Sequence, residues 1–281
     1  MNNTPIRPDQ PFVGRLLEQK GYASPHPYRR VRFAALRYLS GILGIVVKSA
    51  WVARHNRFTN QDFFNRSIAA IRLVERVGGT VEIQGLAHLA DAAAPVVVVA
   101  NHMSLLEAFM LPCLIIPFSP LCVVIKKELT TYPGFGRAMR TLNHIAVSRD
   151  NPRADFRTVM EEGLQFLQQG ISVLIFPQAT RNSVFNPTDF NKLGEKLAAR
   201  ARVPVIPVAL KTDLHGNGRL FKEFGQIDPS RPVRVAFGPP VNPALDGRQA
   251  HDQIIRFIVD QLRAWGLPVA DAVSEPERTA P

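Results

Sequence analysis

The residues best suited to chemistry in this 281-residue chain are His102 and Glu107. A neutral imidazole can take a proton from a hydroxyl near neutral pH, and a carboxylate on its other nitrogen fixes the tautomer and supports the imidazolium that forms. The two residues lie five apart, and in a regular helix that spacing points them about 140° from each other, so they cannot meet within one helix. They can meet if His102 occupies a turn and Glu107 the first turn of the helix after it. The stretch from Pro95 supplies that arrangement: Val96 to Ala100 reads as a buried strand, Asn101 and His102 as the turn at its exit, and Ser104 as the start of a helix. A purely local role fits the same letters. Ser104-Leu105-Leu106-Glu107 has the S-x-x-E form of a capping box, in which the glutamate only satisfies the helix start, and His102 can be a hydrogen-bonded turn residue. Spacing alone leaves both readings open.

Two further strand ends deliver polar groups. Val173 to Phe176 is an apolar run that places Gln178, Thr180 and Arg181 in the turn after it, and His144 to Val147 does the same for Arg149. Two guanidiniums presented this way suit bidentate binding of a phosphate, although singly each reads as an ordinary surface charge. The run Val203 to Ala209 is a buried strand carrying Pro204 and Pro207. Proline removes ladder donors, so this strand is expected to be bent, locally unpaired or at a sheet edge.

The elements that must position these residues alternate. Short β-rich runs at 80–84, 96–100, 121–125, 144–147, 173–176, 205–210 and 233–237 are interleaved with helical stretches at 104–114, 135–142, 154–168, 189–200 and 249–265. This pattern predicts an α/β fold with a mostly parallel central sheet flanked by helices, and a site outside the carboxyl ends of the strands. Four segments are expected: a flexible leader over 1–28, an N-terminal helical hairpin over 29–78, an α/β domain over 79–266 and a disordered tail over 267–281.

Charge marks the hairpin. Residues 1–60 hold ten Lys/Arg against two acids, most of the formal net charge of +11. Such a start suggests an anionic partner surface, either lipid headgroups or nucleic acid; the latter lacks a recognition motif or an aromatic stacking pattern. In the first helix, 29–54, Tyr38 to Val47 is a ten-residue uncharged run. Ten helical residues cover about 15 Å and a bilayer span takes roughly 20, so the expectation is a helix lying in the interface. Arg30, Arg37, Lys48 and His55 fall on one stripe, with Ala35, Leu39, Leu43, Val46 and Ala53 opposite; Arg32 and Arg54 break the pattern. A core helix whose charged stripe faces water is the alternative. The first 25 residues lack the apolar run of a signal peptide. Cys113 and Cys122 have no metal-type spacing and read as reduced core thiols of a cytosolic protein.

Taken in order, four of these blocks resemble the glycerolipid acyltransferases, the family that includes the bacterial lysophosphatidic acid acyltransferases. The family's N-H-x-x-x-x-D block is matched by Asn101-His102 with Glu107 at the acidic position, and its second block by the strand ending in Arg149. Its F-P-E-G-T-R block is matched by Phe176-Pro177-Gln178-Ala179-Thr180-Arg181, and its apolar strand with a central proline by Val205-Ile206-Pro207-Val208. Lys126-Lys127-Glu128-Leu129 and Pro133-Gly134-Phe135-Gly136 also resemble the run between the first two blocks, and the likeness extends over roughly residues 70–240.

The resemblance implies acyl transfer from acyl-CoA or acyl-carrier protein to a hydroxyl of a lysophospholipid, with no resident cofactor, metal or covalent intermediate. His102 is then the general base, Glu107 its orienting partner, and Lys126, Lys127, Arg149, Gln178, Thr180 and Arg181 contact the acceptor. The implied place is the cytoplasmic face of a membrane, as a peripheral or monotopic protein. Four positions depart from the family pattern: Glu107 stands for aspartate, as in the related lipid A-type enzymes, Gln178 for glutamate, Ala179 for glycine, and Asn143 where glycine is frequent. The two changes in the third block keep a second reading open, a non-catalytic lipid-binding protein on the same scaffold.

Overall fold

Valine-rich runs, too short for helices, assemble into one sheet in the structure, a computed structural model that describes residues 14, 16, 18–54, 58–92, 95–132, 135–218, 225–242, 244 and 247–270. Its strands are β1 Tyr22–Ala23, β2 Val81–Gln84, β3 Val97–Ala100, β4 Leu121–Lys126, β5 His144–Val147, β6 Ser172–Ile175, β7 Val205–Lys211 and β8 Val233–Phe237, in the order β1-β2-β8-β7-β3-β6-β4-β5. β3 is parallel to both its neighbours, β6 and β7, and β4 is parallel to β5 and β6. β7 and β8 are antiparallel while β8 and β2 are parallel, so β2 runs against β3. The amino end of β2 therefore shares a sheet edge with the carboxyl ends of β3, β6 and β7.

Helices cover both faces: α1 Ala34–Ala53, α2 Asn60–Arg76, α3 Leu86–Asp91, α4 Leu106–Ile115, α5 Phe135–Thr141, α6 Pro152–Gln168, α7 Leu193–Ala201 and α8 Gly247–Ala264. The period of two sorts β3 between two cores. Val96, Val98 and Ala100 join Tyr38, Ile71 and Leu111 of α1, α2 and α4, whereas Val97 and Val99 join Val159, Leu197 and Ile258 of α6, α7 and α8. With both faces covered, β3, β6 and β7 are buried along their whole length, which is why they read as continuous apolar runs. Start signals behave as their chemistry requires: Thr59 and Asp62 form a reciprocal capping box at α2, and Asn151 caps α6 with Pro152 in its first turn.

Several expectations are corrected. Tyr22–Ala23 of the leader is an edge strand paired antiparallel with β2; residues 1–13, 15 and 17 lie outside the described residues. The start of the tail is tied down as well. Val269 bridges Phe185, and Ala270 N–H donates to the Phe185 carbonyl at 2.8 Å, with 271–281 outside the described residues.

β7 starts at Val205, so Pro207 alone lies within it; the strand is locally unpaired there on its β8 side, as expected, and it is central, which sets aside the edge alternative. Pro207 sits opposite Gly238, one residue past the end of β8. Gly238 N–H donates to the Pro207 carbonyl at 2.8 Å, so the donor that proline lacks falls in the gap between the β7–β8 ladder and the Val205–Val241 bridge. A Cβ at Gly238 would lie 2.8 Å from the Pro207 ring, so the ring fits because that neighbour is glycine. α3 and two short 3-10 turns, Lys127–Thr130 and Pro187–Asp189, add to the elements that the sequence pattern predicts.

α1 differs most from the sequence reading. Tyr38, Ile42, Ile45, Ser49 and Ala53 form its buried face, while Leu36, Leu43, Val47 and Trp51 on the opposite side are 56% to 68% exposed. The helix is thus apolar on two sides, with Arg37 and Lys48 at one margin. At 20 residues it is also long and apolar enough to cross a membrane, which the ten-residue uncharged run does not suggest. His55 and Arg57 lie outside the described residues.

Candidate active site

The turn after β3 brings His102 onto Glu107. His102 Nδ1 lies 2.6 Å from Glu107 Oε2, with the imidazole 15% exposed and the carboxylate fully buried. Glu107 Oε1 accepts from the backbone N–H groups of Met103 and Ser104, each at 2.7 Å, and from the Thr212 hydroxyl at 2.5 Å. The two contacts left open by the spacing therefore coexist on separate oxygens: Oε1 holds the turn before α4, and Oε2 the imidazole. A carboxylate buried without such donors would be strongly unfavourable; charge-assisted bonds on both oxygens offset its desolvation.

A carboxylate on Nδ1 places the proton there and leaves Nε2 with its lone pair. Nε2 has no partner among the described residues. The Phe176 ring stacks on the imidazole at 4.4 Å between centroids and 28° between planes, which fixes the ring's tilt.

Three more contacts hold the turn. Gln178 is buried, and its Oε1 accepts from the His102 backbone N–H at 2.7 Å, so this side chain supports the dyad instead of facing the acceptor as expected. A glutamate could accept the same bond, so the substitution leaves this support intact. Asn182 N–H donates to the His102 carbonyl at 2.9 Å. Asn101 clamps β3 to β7 by donating to the Leu210 carbonyl at 2.9 Å and accepting from its N–H at 2.7 Å.

Arg149 and the loop carrying Arg181 also meet. Arg149 Nη1 donates to the Ala179 carbonyl at 2.8 Å. Arg149 has φ of 66°, in the left-handed region where non-glycine residues are uncommon; the Asp155 carboxylate, accepting from the Ser148 and Arg149 N–H groups at 2.9 and 2.7 Å, holds it there. Arg181 is half-buried and Thr180 exposed. Lys126 forms a 3.3 Å ion pair with Glu128, whose carboxyl is held below its usual range by a backbone hydrogen bond and by Lys126. A phosphate drawing on Lys126 would compete with that pair. Lys127 is exposed on the 3-10 turn after β4.

Sequence reasoning misses Thr212, the stacking role of Phe176 and Asn217, whose Nδ2 donates to the Met103 carbonyl at 2.9 Å. Thr212 is separated from Glu107 by 105 positions, and no local pattern links them.

A family model described as Acyltransferase matches residues 80–211. The 1-acyl-sn-glycerol-3-phosphate acyltransferase of Pseudomonas aeruginosa is 31% identical over 224 residues, covering 79% of this chain and 82% of that protein. The protein of the same name from Limnanthes alba is 30% identical over 165 residues, covering 59% of this chain and 56% of that protein. Among solved structures, the 1-acyl-sn-glycerophosphate (LPA) acyltransferase PlsC from Thermotoga maritima matches with a TM-score of 0.58 at 18% identity, covering 82% of this chain and 95% of that one. At that identity the likeness concerns the fold.

Proposed function

This chain belongs to the glycerolipid acyltransferase family and is an O-acyltransferase, and from that premise we propose that it moves a fatty acyl group from acyl-CoA or acyl-carrier protein to a hydroxyl of lysophosphatidic acid or a related lysophospholipid. The observation that carries this reading is the 2.6 Å contact of His102 Nδ1 with buried Glu107, which leaves Nε2 open at a strand end flanked by the Arg149 and Arg181 loops.

In the proposed reaction His102 Nε2 takes the proton of the acceptor hydroxyl as its oxygen attacks the thioester carbonyl. The new C–O bond forms, the C–S bond breaks, and the departing thiolate recovers a proton from the imidazolium. Glu107 supports that transient cation, and Arg149 with Arg181 holds the acceptor's phosphate.

The exposed face of α1 supports a place at a membrane surface. Leu36, Leu43, Val47 and Trp51 form an apolar stripe with Arg37 and Lys48 beside it, the composition of a helix lying in the interface. Because the opposite face packs into the core, the helix is read as lying in one leaflet, on the cytoplasmic side.

The test is transfer of a labelled acyl group from acyl-CoA and from acyl-carrier protein to a panel of lysophospholipids. Product with lysophosphatidic acid, lost in His102→Ala, is expected. Binding of lysophospholipid without product from either donor would favour the non-catalytic reading instead.

A further inference from the structure

On the side of the dyad away from Arg149 and Arg181, a second group of cations surrounds a cavity of ≈ 310 Å³. Its lining includes Ser24, His26, Arg29, Arg72, Glu75 and Arg76. Arg72, Glu75 and Arg76 come from the last turns of α2, and His26 and Arg29 from the segment after β1. The carboxyl end of a helix favours basic residues by itself, but that does not explain why two more arrive from a separate segment. Gly78 fixes their approach: its carbonyl accepts from Arg29 N–H at 3.0 Å, its φ is 90°, and a Cβ there would fall 2.0 Å from the Arg29 carbonyl oxygen.

Among the described residues Glu75 lines the cavity as its one acid against three arginines and is not ion-paired with them. Its Oε1 accepts from the Tyr22 hydroxyl at 2.5 Å and from the Ser24 hydroxyl at 2.7 Å, neutral donors on the cavity wall. Among the described residues Arg29, Arg72 and Arg76 form no ion pair. The cavity thus presents guanidiniums in the fork geometry that suits phosphate.

Its position selects the ligand. The cavity lies by the amino end of β2, on the same sheet edge as His102, and β2 is three strand spacings from β3, about 14 Å at roughly 4.8 Å each. Arg181 follows β6, which is next to β3, and although Arg149 follows β5, itself three spacings from β3, its guanidinium reaches back to the loop after β6 at the Ala179 carbonyl. A lysophospholipid carries its phosphate close to the reacting hydroxyl and suits the nearer arginines. A thioester donor carries its phosphate at the far end of a long pantetheine arm and suits the more distant ones.

We propose that this cavity binds the phosphate end of a phosphopantetheine-bearing acyl donor. The inference rests on the acyl-transfer reading, and the nucleotide phosphates of CoA and the phosphodiester of acyl-carrier protein share the chemistry it invokes.

The full chain and its Arg72→Gln/Arg76→Gln variant are compared by calorimetric titration with free CoA, which needs no turnover, and by kinetics with acyl-CoA and acyl-carrier protein. Both arginines are exposed, so folding should hold, as a melting curve checks; Arg29→Gln is the second variant. The variant is expected to weaken CoA binding about tenfold or more and raise the donor KM similarly, with the acceptor KM steady. A rise confined to acyl-CoA assigns the nucleotide phosphates to the cavity; a rise with both donors assigns the pantetheine 4′-phosphate common to them. Unchanged CoA affinity in both variants overturns the proposal. So does a loss confined to sedimentation with phosphatidylglycerol vesicles, which would make the cavity a lipid headgroup site. Wild-type chain that binds CoA but transfers nothing would instead defeat the acyl-transfer reading alone.

Discussion

Among the described residues stand two histidine–glutamate pairs of nearly equal length and burial. His102–Glu107 spans 2.6 Å with side chains 15% and 0% exposed, and His251–Glu195 spans 2.5 Å with side chains 14% and 2% exposed. Their second carboxylate oxygens differ. Glu107 Oε1 has three donors, whereas Glu195 Oε2 is buried with no hydrogen-bond partner among the described residues. Their settings differ as well. The first pair stands at the carboxyl end of β3 beside two arginine-bearing loops; the second joins α7 to α8 near Phe190. Proximity of an imidazole and a carboxylate is therefore not enough to mark a catalytic pair. What separates them is a carboxylate fixed on both oxygens and a place at a strand end beside two arginine-bearing loops, and on that ground only the first pair is proposed as catalytic.

The largest expected contrast is between the two histidines. His102→Ala should lower the transfer rate by about 10² to 10⁴ with the fold retained. His251→Ala should leave the rate per folded molecule within about twofold but cost roughly 3 to 5 kcal/mol of stability, because Glu195 loses its partner. Equal losses of activity in the two variants would erase the distinction.

Glu107→Gln comes next. Its carbonyl can still accept from Met103 and Ser104, but its NH₂ then faces His102 Nδ1 and drives the proton to Nε2. A fall of about tenfold to a hundredfold in rate with little change in melting temperature is expected. If melting falls and the rate per folded molecule does not, Glu107 serves only the helix start.

Thr212→Val removes the third donor to Glu107 and should cost about 1 to 2 kcal/mol in denaturant unfolding, with a several-fold drop in rate. Glu195→Gln should change stability by less than about 1 kcal/mol, since that carboxylate is already half unsatisfied. The smallest effect concerns the scaffold. Burial pushes the Cys113 thiol up to about 12 and raises that of Cys122, so both stay protonated at about pH 8 and native protein should resist iodoacetamide until it is unfolded.

Much of the scaffold can be read locally. β5 and β8 fall on the runs 144–147 and 233–237, because each is a short β-rich segment bounded by turn residues. α1 cannot be oriented the same way: with Ile42 and Ile45 on one side and Leu43 and Val47 on the other, its inner face is undefined until α2 is in place. The local contact of Glu107 with the turn and its contact with His102 also look like alternatives only while its two oxygens are indistinguishable.

The sequence by itself determined the alternation of strands and helices, the His102–Glu107 spacing and the polar turns after β5 and β6, since each depends on neighbours a few residues away. Tertiary structure decided the rest. Gln178 reaches His102 across 76 positions and Thr212 reaches Glu107 across 105, contacts that exist because β3 lies between β6 and β7. That strand order follows from burying apolar surface on both faces of one sheet, a condition on the whole chain that no short stretch of it contains.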